Sequence, residues 1–158
     1  MLLYLDIDNV LNDERCYDEA SEDPKWDYNS LSNDIVFRYL LNRVYIGRIN
    51  RLCAEHKLSI VVCSELRWKV PIQQTLKNAG LSAPILGVTP KAPGKAMRGT
   101  VQDTETEILL DIKERGVDVN AIAILTDESA ALGTLENRAV RCEDGVTEED
   151  IAELLSLF

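Results

Sequence analysis

Two aspartates spaced two residues apart, Asp6 and Asp8, end the apolar run Leu2-Leu3-Tyr4-Leu5, and Asn9, Val10, Leu11 and Asn12 follow at once. In a continuing strand the two carboxylates would share one face, because strand side chains alternate. If the strand stops at Asp6, both crowd one point at its C-terminal edge. Neither is a core residue without a partner, since a buried charge must be paired. Oxygen ligands gathered at one point suit a hard divalent cation. A surface turn rich in Asp and Asn is the plain alternative for this stretch taken alone.

Apolar patterning gives the elements that must hold these groups. Residues 2–6 are one run of strand length, 58–63 a second, ended by Ser64, and 121–125 a third, ended by Thr126-Asp127-Glu128. Short strands are expected at 85–88 and 140–142. Over 34–56, Ile35, Tyr39, Leu40, Val44, Ile49, Leu52 and Cys53 follow a period of about 3.6 residues. Asn33-Asp34 would cap that segment, and Gly47 would divide it into two helices. Further helices are predicted over 68–79, closed by Gly80, over 103–115, and over 148–157 behind the acidic turn Thr147-Glu148-Glu149-Asp150. Residues 12–33 are polar and acidic, with Tyr17, Trp26 and Tyr28 interspersed. They are long for a plain loop and read as a flap over the site or a small cap insertion. Strands alternating with helices predict an α/β fold with a mainly parallel sheet. In such a sheet the ligand lies beyond the C-terminal strand ends, where Asp6, Ser64 and Asp127 all fall.

The 158 residues suit one domain, 1–158. No stretch is apolar enough for a membrane span, and no basic region followed by an apolar core marks a signal peptide. The four cysteines are scattered and there is one histidine, His56, which argues against a zinc site and for a reduced, cytoplasmic protein. Net charge is −10, distributed as −8 over 1–37, +9 over 38–98 and −11 over 99–158. The basic middle block is either a local anion-attracting surface or a set of charges neutralised by the acidic blocks around it.

Asp6, Asp8 and Val10 fall on the opening motif Asp-x-Asp-x-(Val/Thr) of the haloacid dehalogenase (HAD) superfamily, which the chain resembles. Asn9 stands where glycine is usual, and asparagine tolerates left-handed backbone angles. The later landmarks follow in order: Ser64 after the second strand, Lys95 or Arg98 as a cation in a loop, and Asp127 with Glu128 after the third strand. The stretches Ser64-Glu65-Leu66-Arg67-Trp68, Gly87-Val88-Thr89-Pro90, Arg98-Gly99, Glu107-Ile108, Ile124-Leu125-Thr126-Asp127 and Asp144-Gly145-Val146-Thr147 are similar to the HAD domain of Swiss-army-knife RNA-repair proteins. Glu65 occupies the place of a second serine, Arg67-Trp68 reverses the usual Trp-Arg, and the usual Asp-Asp becomes Thr126-Asp127.

The resemblance implies a HAD-like Rossmannoid domain with minimal or no cap, and phosphomonoester hydrolysis. It implies Asp6 as the nucleophile that forms an aspartyl-phosphate, and Asp8 as the acid that protonates the leaving oxygen and the base that then activates water. Ser64, Arg98 and Lys95 join them as catalytic candidates, and Asn9, Ser64, Arg67 and Arg98 as phosphate ligands. Mg2+ would be held by Asp6, Asp8 through its main-chain carbonyl, Asp127 and Glu128. Without a large cap the open site suits a phosphate on a macromolecule. RNA or DNA ends fit the family context and the basic middle block. A small-nucleotide or phosphoprotein phosphatase is the alternative, as is a catalytically impaired domain acting as a binding module, which Asn9 and Thr126 motivate. A receiver-like signalling domain wants its acceptor Asp after a middle strand and adjacent acidic residues after the first, and neither pattern is present.

Overall fold

The computed structural model describes residues 1–93, 104–127 and 129–158. Five strands, Leu2–Leu5 (β1), Ser59–Val62 (β2), Ile85–Val88 (β3), Ile122–Asp127 (β4) and Ala139–Cys142 (β5), form one sheet in the order β3-β2-β1-β4-β5. All four pairings are parallel. β1 is therefore central, with Leu5 level with Val62 on one side and Leu125 on the other. Asp6, Ser64 and Asp127 come out at the same edge.

A parallel sheet is covered on both faces, which is why its strands read as unbroken apolar runs. Leu3, Leu5, Ile60, Val62, Ala123 and Leu125 point to the larger core. Five helices contribute to that core: Glu14–Ser21 (α1), Asn33–Tyr39 (α2), Arg43–His56 (α3), Ile72–Asn78 (α4) and, after Thr104–Arg115 (α5), the last helix Glu148–Ser156 (α6). The alternate residues Leu2, Tyr4, Val61, Cys63, Ile122 and Ile124 face the other side, where Ile108 and Ile112 of α5 cover them. Tyr4 is fully buried there and donates from its hydroxyl to Asp111 Oδ2 at 2.8 Å. Arg115 holds the same oxygen at 2.6 Å, so α5 is fixed under the central strand by a polar contact as well as by apolar burial.

Two expected helix boundaries differ. The 34–56 segment does divide, but at 40–42: Asn42 accepts from Val44 N and starts α3, while Gly47 lies inside that helix. A cap residue outranks one helical glycine, whose cost is only about 1 kcal/mol. The 68–79 helix begins at Ile72, because Pro71 lacks a backbone donor and suits a first turn. A 3-10 turn, Glu65–Trp68, precedes it. Residues 12–33 contain α1 and the 3-10 turn Tyr28–Ser30, and Ala20 and Leu31 reach the larger core.

The charge blocks interleave. Arg38 pairs with Asp34 and Asp23, and Arg48 and Arg51 both meet Glu148. All four cysteines are buried thiols. No helix among the described residues is long and apolar enough to cross a membrane.

Candidate active site

Asp6 extends the central ladder by one bond, from its N–H to Leu125 O at 2.9 Å. Its side chain is pinned from two directions: Oδ1 accepts from Ile7 N at 2.8 Å and Oδ2 from Thr126 Oγ1 at 3.1 Å. Asp6 as a whole is 8 % exposed. Burial, then the charges of Asp8 and Asp127, push its pKa up to about 7 against the two hydrogen bonds that favour the anion.

The chain then turns sharply. Val10 N and Leu11 N both bond Ile7 O, at 3.1 and 2.8 Å, and Asn9 takes a left-handed φ of 55°. Asn12 Oδ1 accepts from Asn9 N at 2.8 Å, so a buried amide braces the turn from within. Asp8 projects from this turn and its Oδ1 accepts the hydroxyl of Tyr17, with Asn12 Nδ2 at 3.4 Å. Burial raises the Asp8 pKa, the bonds from Tyr17 and Asn12 oppose the rise, and Asp127 adds to it. Burial and Asp8 together hold the Tyr17 phenol protonated as a donor.

A late segment of the chain fixes the outside of the turn. Gly145 N bonds Asn9 O and Val146 N bonds Val10 O, both at 2.9 Å. Gly145 has a left-handed φ of 87°, and a Cβ there would fall 2.2 Å from Tyr45 Cζ. Tyr45 in turn donates to Asp13 Oδ2 at 2.8 Å, and Asp13 caps α1 through its other oxygen. One connected set of contacts thus joins the Asp8 turn to α1, α3 and the segment before α6.

A cavity of about 610 Å³ opens over the two aspartates. Asn9, Tyr17, Tyr28, Glu65, Asp127 and Ser129 contribute to its wall. Asp127 is oriented by Ser129, whose N–H and Oγ donate to Oδ1 at 2.9 and 2.7 Å. The Tyr28 phenol feels burial and all four carboxylates around it, Asp8, Glu65, Asp6 and Asp127, and is pushed up to about 12. The site is strongly acidic, and among the described residues no Lys or Arg forms an ion pair with Asp6 or Asp8.

The sequence-predicted residues fall as follows. Asp6, Asp8, Asn9 and Asp127 share the cavity wall. Ser64 lies at the end of β2 but is fully buried, and its Oγ accepts from Leu66 N at 3.3 Å to cap the next turn; the neighbouring Glu65 faces the cavity instead. Arg67 corrects an expectation. Its side chain is wholly buried, and its nitrogens bond Cys63 O, Ser64 O, Thr89 O and the Glu107 carboxylate. That leaves it inside the fold rather than at the phosphate position. Lys95, Arg98 and Glu128 lie outside the described residues. Asn12, Tyr17, Tyr28, Glu65 and Thr126 complete the site without having been assigned to it from sequence. The aromatic residues of 12–33 were the available signal for two of them.

Asp6 and Asp127 line one cavity and offer oxygen donors only, the ligand chemistry Mg2+ takes. Among the described residues no three His, Cys, Asp or Glu side chains are gathered closely enough to hold a metal by themselves. A Mg2+ bound there would keep several water ligands, as that ion ordinarily does.

A family model described as the HAD domain in Swiss Army Knife RNA repair proteins matches residues 2–151. No curated protein and no solved structure matches the chain.

Proposed function

The chain belongs to the HAD domains of Swiss Army Knife RNA repair proteins, and on that footing we propose that it is a magnesium-dependent phosphomonoester hydrolase working through an aspartyl-phosphate on Asp6, with nucleic-acid end phosphates as substrates. A phosphatase-type function is what the family supports, and its superfamily generally uses Mg2+. The observation that carries the finer reading is the pair Asp6 and Asp8. Two carboxylates two residues apart sit in different surroundings, one pinned at a strand end, the other on a turn and tuned by a phenol. Environments that separate two titratable groups assign them different roles.

In this mechanism ionised Asp6 attacks phosphorus, and the bond to the leaving oxygen breaks as the new P–O bond forms. The Ile7 N–H and the Thr126 hydroxyl fix the carboxylate for that attack. Asp8 gives its proton to the leaving oxygen. It then takes a proton from the water that attacks the phosphoryl group, which releases inorganic phosphate and regenerates Asp6. Mg2+, held by Asp6, Asp127 and the Asp8 carbonyl, would neutralise the meeting of an anionic nucleophile with an anionic substrate. Arg98 or Lys95 would add a second positive charge. Thr126 stands where the family pattern has a carboxylate, and donates to Asp6 instead of adding another charge.

Aryl phosphate turnover with and without Mg2+ tests the reading. Asp6→Asn is expected to lower kcat by about a thousandfold or more, as loss of a nucleophile does. Asp8→Asn is expected to leave a burst of leaving group and a trapped phosphoenzyme, because a good leaving group needs little protonation while hydrolysis still needs an activated water. Asp6→Asn with wild-type turnover would overturn the assignment. A cavity of this volume also admits a mononucleotide, so a small-nucleotide phosphatase is the second reading. Matched mono- and oligonucleotide phosphates at low and high salt separate the two, since contacts to further phosphates weaken with salt.

A further inference from the structure

Two aromatic side chains, one on the cavity wall and one on a turn that begins at it, are left open to solvent. Tyr28, on the cavity wall, is 39 % exposed, and Trp68 is 46 % exposed at the end of the turn whose first residue, Glu65, also lines the cavity. Lys69 ties the two segments together. Its Nζ donates to Tyr28 O at 3.0 Å and stands 3.7 Å from the centroid of the Tyr28 ring. Its charge also acts on Asp8. The Arg67 guanidinium stands 4.5 Å from the centroid of the Trp68 ring, and Arg67 is itself locked by carbonyls and Glu107. The indole therefore rests on a fixed cation and presents its remaining surface to water.

Resting on the nucleic-acid reading above, we propose that Trp68, with Tyr28 and Lys69 beside it, is the platform on which the base next to the scissile phosphate stacks. Aromatic plates with cations at their edge are how single strands are held without sequence preference. Lys69 brings a positive charge to bear on Asp8 and lies against Tyr28, so a strand whose end phosphate reaches Asp6 meets a base-stacking surface and a phosphate partner together. The rigid setting of Trp68 means that little side-chain freedom is lost on stacking. The partner is a single-stranded oligonucleotide end.

Trp68 is one of two tryptophans, so Trp26→Phe leaves it as the only indole reporter. In that background with Asp6→Asn to prevent turnover, a short phosphorylated oligonucleotide is expected to quench its fluorescence saturably. An abasic strand of equal charge is expected not to. In the active enzyme, Trp68→Ala is expected to lower kcat/KM for oligonucleotide phosphates about tenfold and leave aryl phosphate turnover unchanged, with Trp68→Phe retaining most of the activity. Lys69→Gln is expected to reduce the slope of log affinity against log salt by about one contact. Equal quenching by the abasic strand, or an unchanged oligonucleotide kcat/KM in Trp68→Ala, would overturn the platform. The fluorescence arm needs no turnover, so it decides the platform even if the aryl phosphate assay refutes the hydrolase.

Discussion

Two charged clusters flank Cys63 at the C-terminal end of the sheet, and they are built in opposite ways. Behind β2, Arg67 Nη1 bonds Cys63 O at 2.7 Å and Ser64 O at 2.5 Å, Nε bonds Thr89 O at 3.3 Å, and Nη2 meets Glu107. Glu107 also accepts from Ala92 N at 3.3 Å. Positive and negative are matched, and the cluster ties β2, β3 and α5 together. Beyond β1 a buried Asp6 faces two half-buried carboxylates: burial, Asp8 and Asp127 push Asp6 up to about 7, and among the described residues no cation is paired with it. Burial alone therefore does not mark a reactive site. An uncompensated excess of one sign does, because such a group is held where a ligand of the opposite sign would relieve it.

The matched cluster is expected to give the larger response when broken. Arg67→Met removes the buried guanidinium from beside Glu107 and should destabilise the protein by about 3–5 kcal/mol in urea unfolding. Adding Glu107→Leu should recover a large part of that loss, since an apolar pair of similar volume replaces the ion pair. If Arg67→Met shifts the midpoint by less than about 1 kcal/mol, the contrast between the clusters fails on its structural side.

The unmatched cluster should respond with the opposite sign. The Asp6 carboxyl is raised in the folded state from 3.8 to about 7. Its contribution to stability is therefore fully present below the unfolded value and is lost as pH rises through the folded one. Without divalent cation the wild type should melt at a lower temperature at pH 8 than at pH 5. Asp6→Asn, which keeps the shape of the protonated form, should be more stable than wild type at pH 8 by on the order of 1–4 kcal/mol. Added Mg2+ should raise the wild-type melting temperature and leave that of Asp6→Asn nearly unchanged. A wild type whose melting temperature is flat from pH 5 to 8 would remove the argument.

The smallest effect sharpens the comparison inside the site. Tyr17→Phe removes a hydrogen bond that lowers the Asp8 pKa. The pH optimum should move upward, and kcat for alkyl phosphates should fall several-fold, about 1 kcal/mol of barrier. Aryl phosphates, with better leaving groups, should be less affected in the first chemical step. An unchanged pH profile would mean that Tyr17 only packs against the turn.

What the sequence disclosed and what it hid follow one physical line. β1, β2 and β4 were legible because a strand covered on both faces reads as a continuous apolar run. Asp6, Asp8 and Asp127 were legible because they end such runs. The division of 34–56 was placed at Gly47, whereas the cap at Asn42 governs it, since a satisfied helix end outweighs one weak helix former. The family resemblance suggested Arg67 as a phosphate ligand; its burial stayed hidden because its partners Thr89 and Glu107 are distant in sequence and leave no local pattern. Tyr17 is only nine residues beyond Asp8. Nothing in a polar, acidic stretch shows that α1 turns that one phenol onto the carboxylate.

The contacts between 9–10 and 145–146 bear on how the protein is made. The Asp8 turn lies far upstream of its partners: its outer hydrogen bonds go to Gly145 and Val146, and the Asp6 N–H bonds Leu125. A nascent chain that has exposed Asp6 and Asp8 still lacks the strand beside them and the segment that closes their turn. Such long-range pairing forms late. During translation Asp6 and Asp8 emerge before these partners and acquire their folded setting only after about 140 further residues have left the ribosome. A chain that stopped between Asp127 and Gly145 would carry Asp6, Asp8 and Asp127 and still lack the hydrogen bonds that brace the turn.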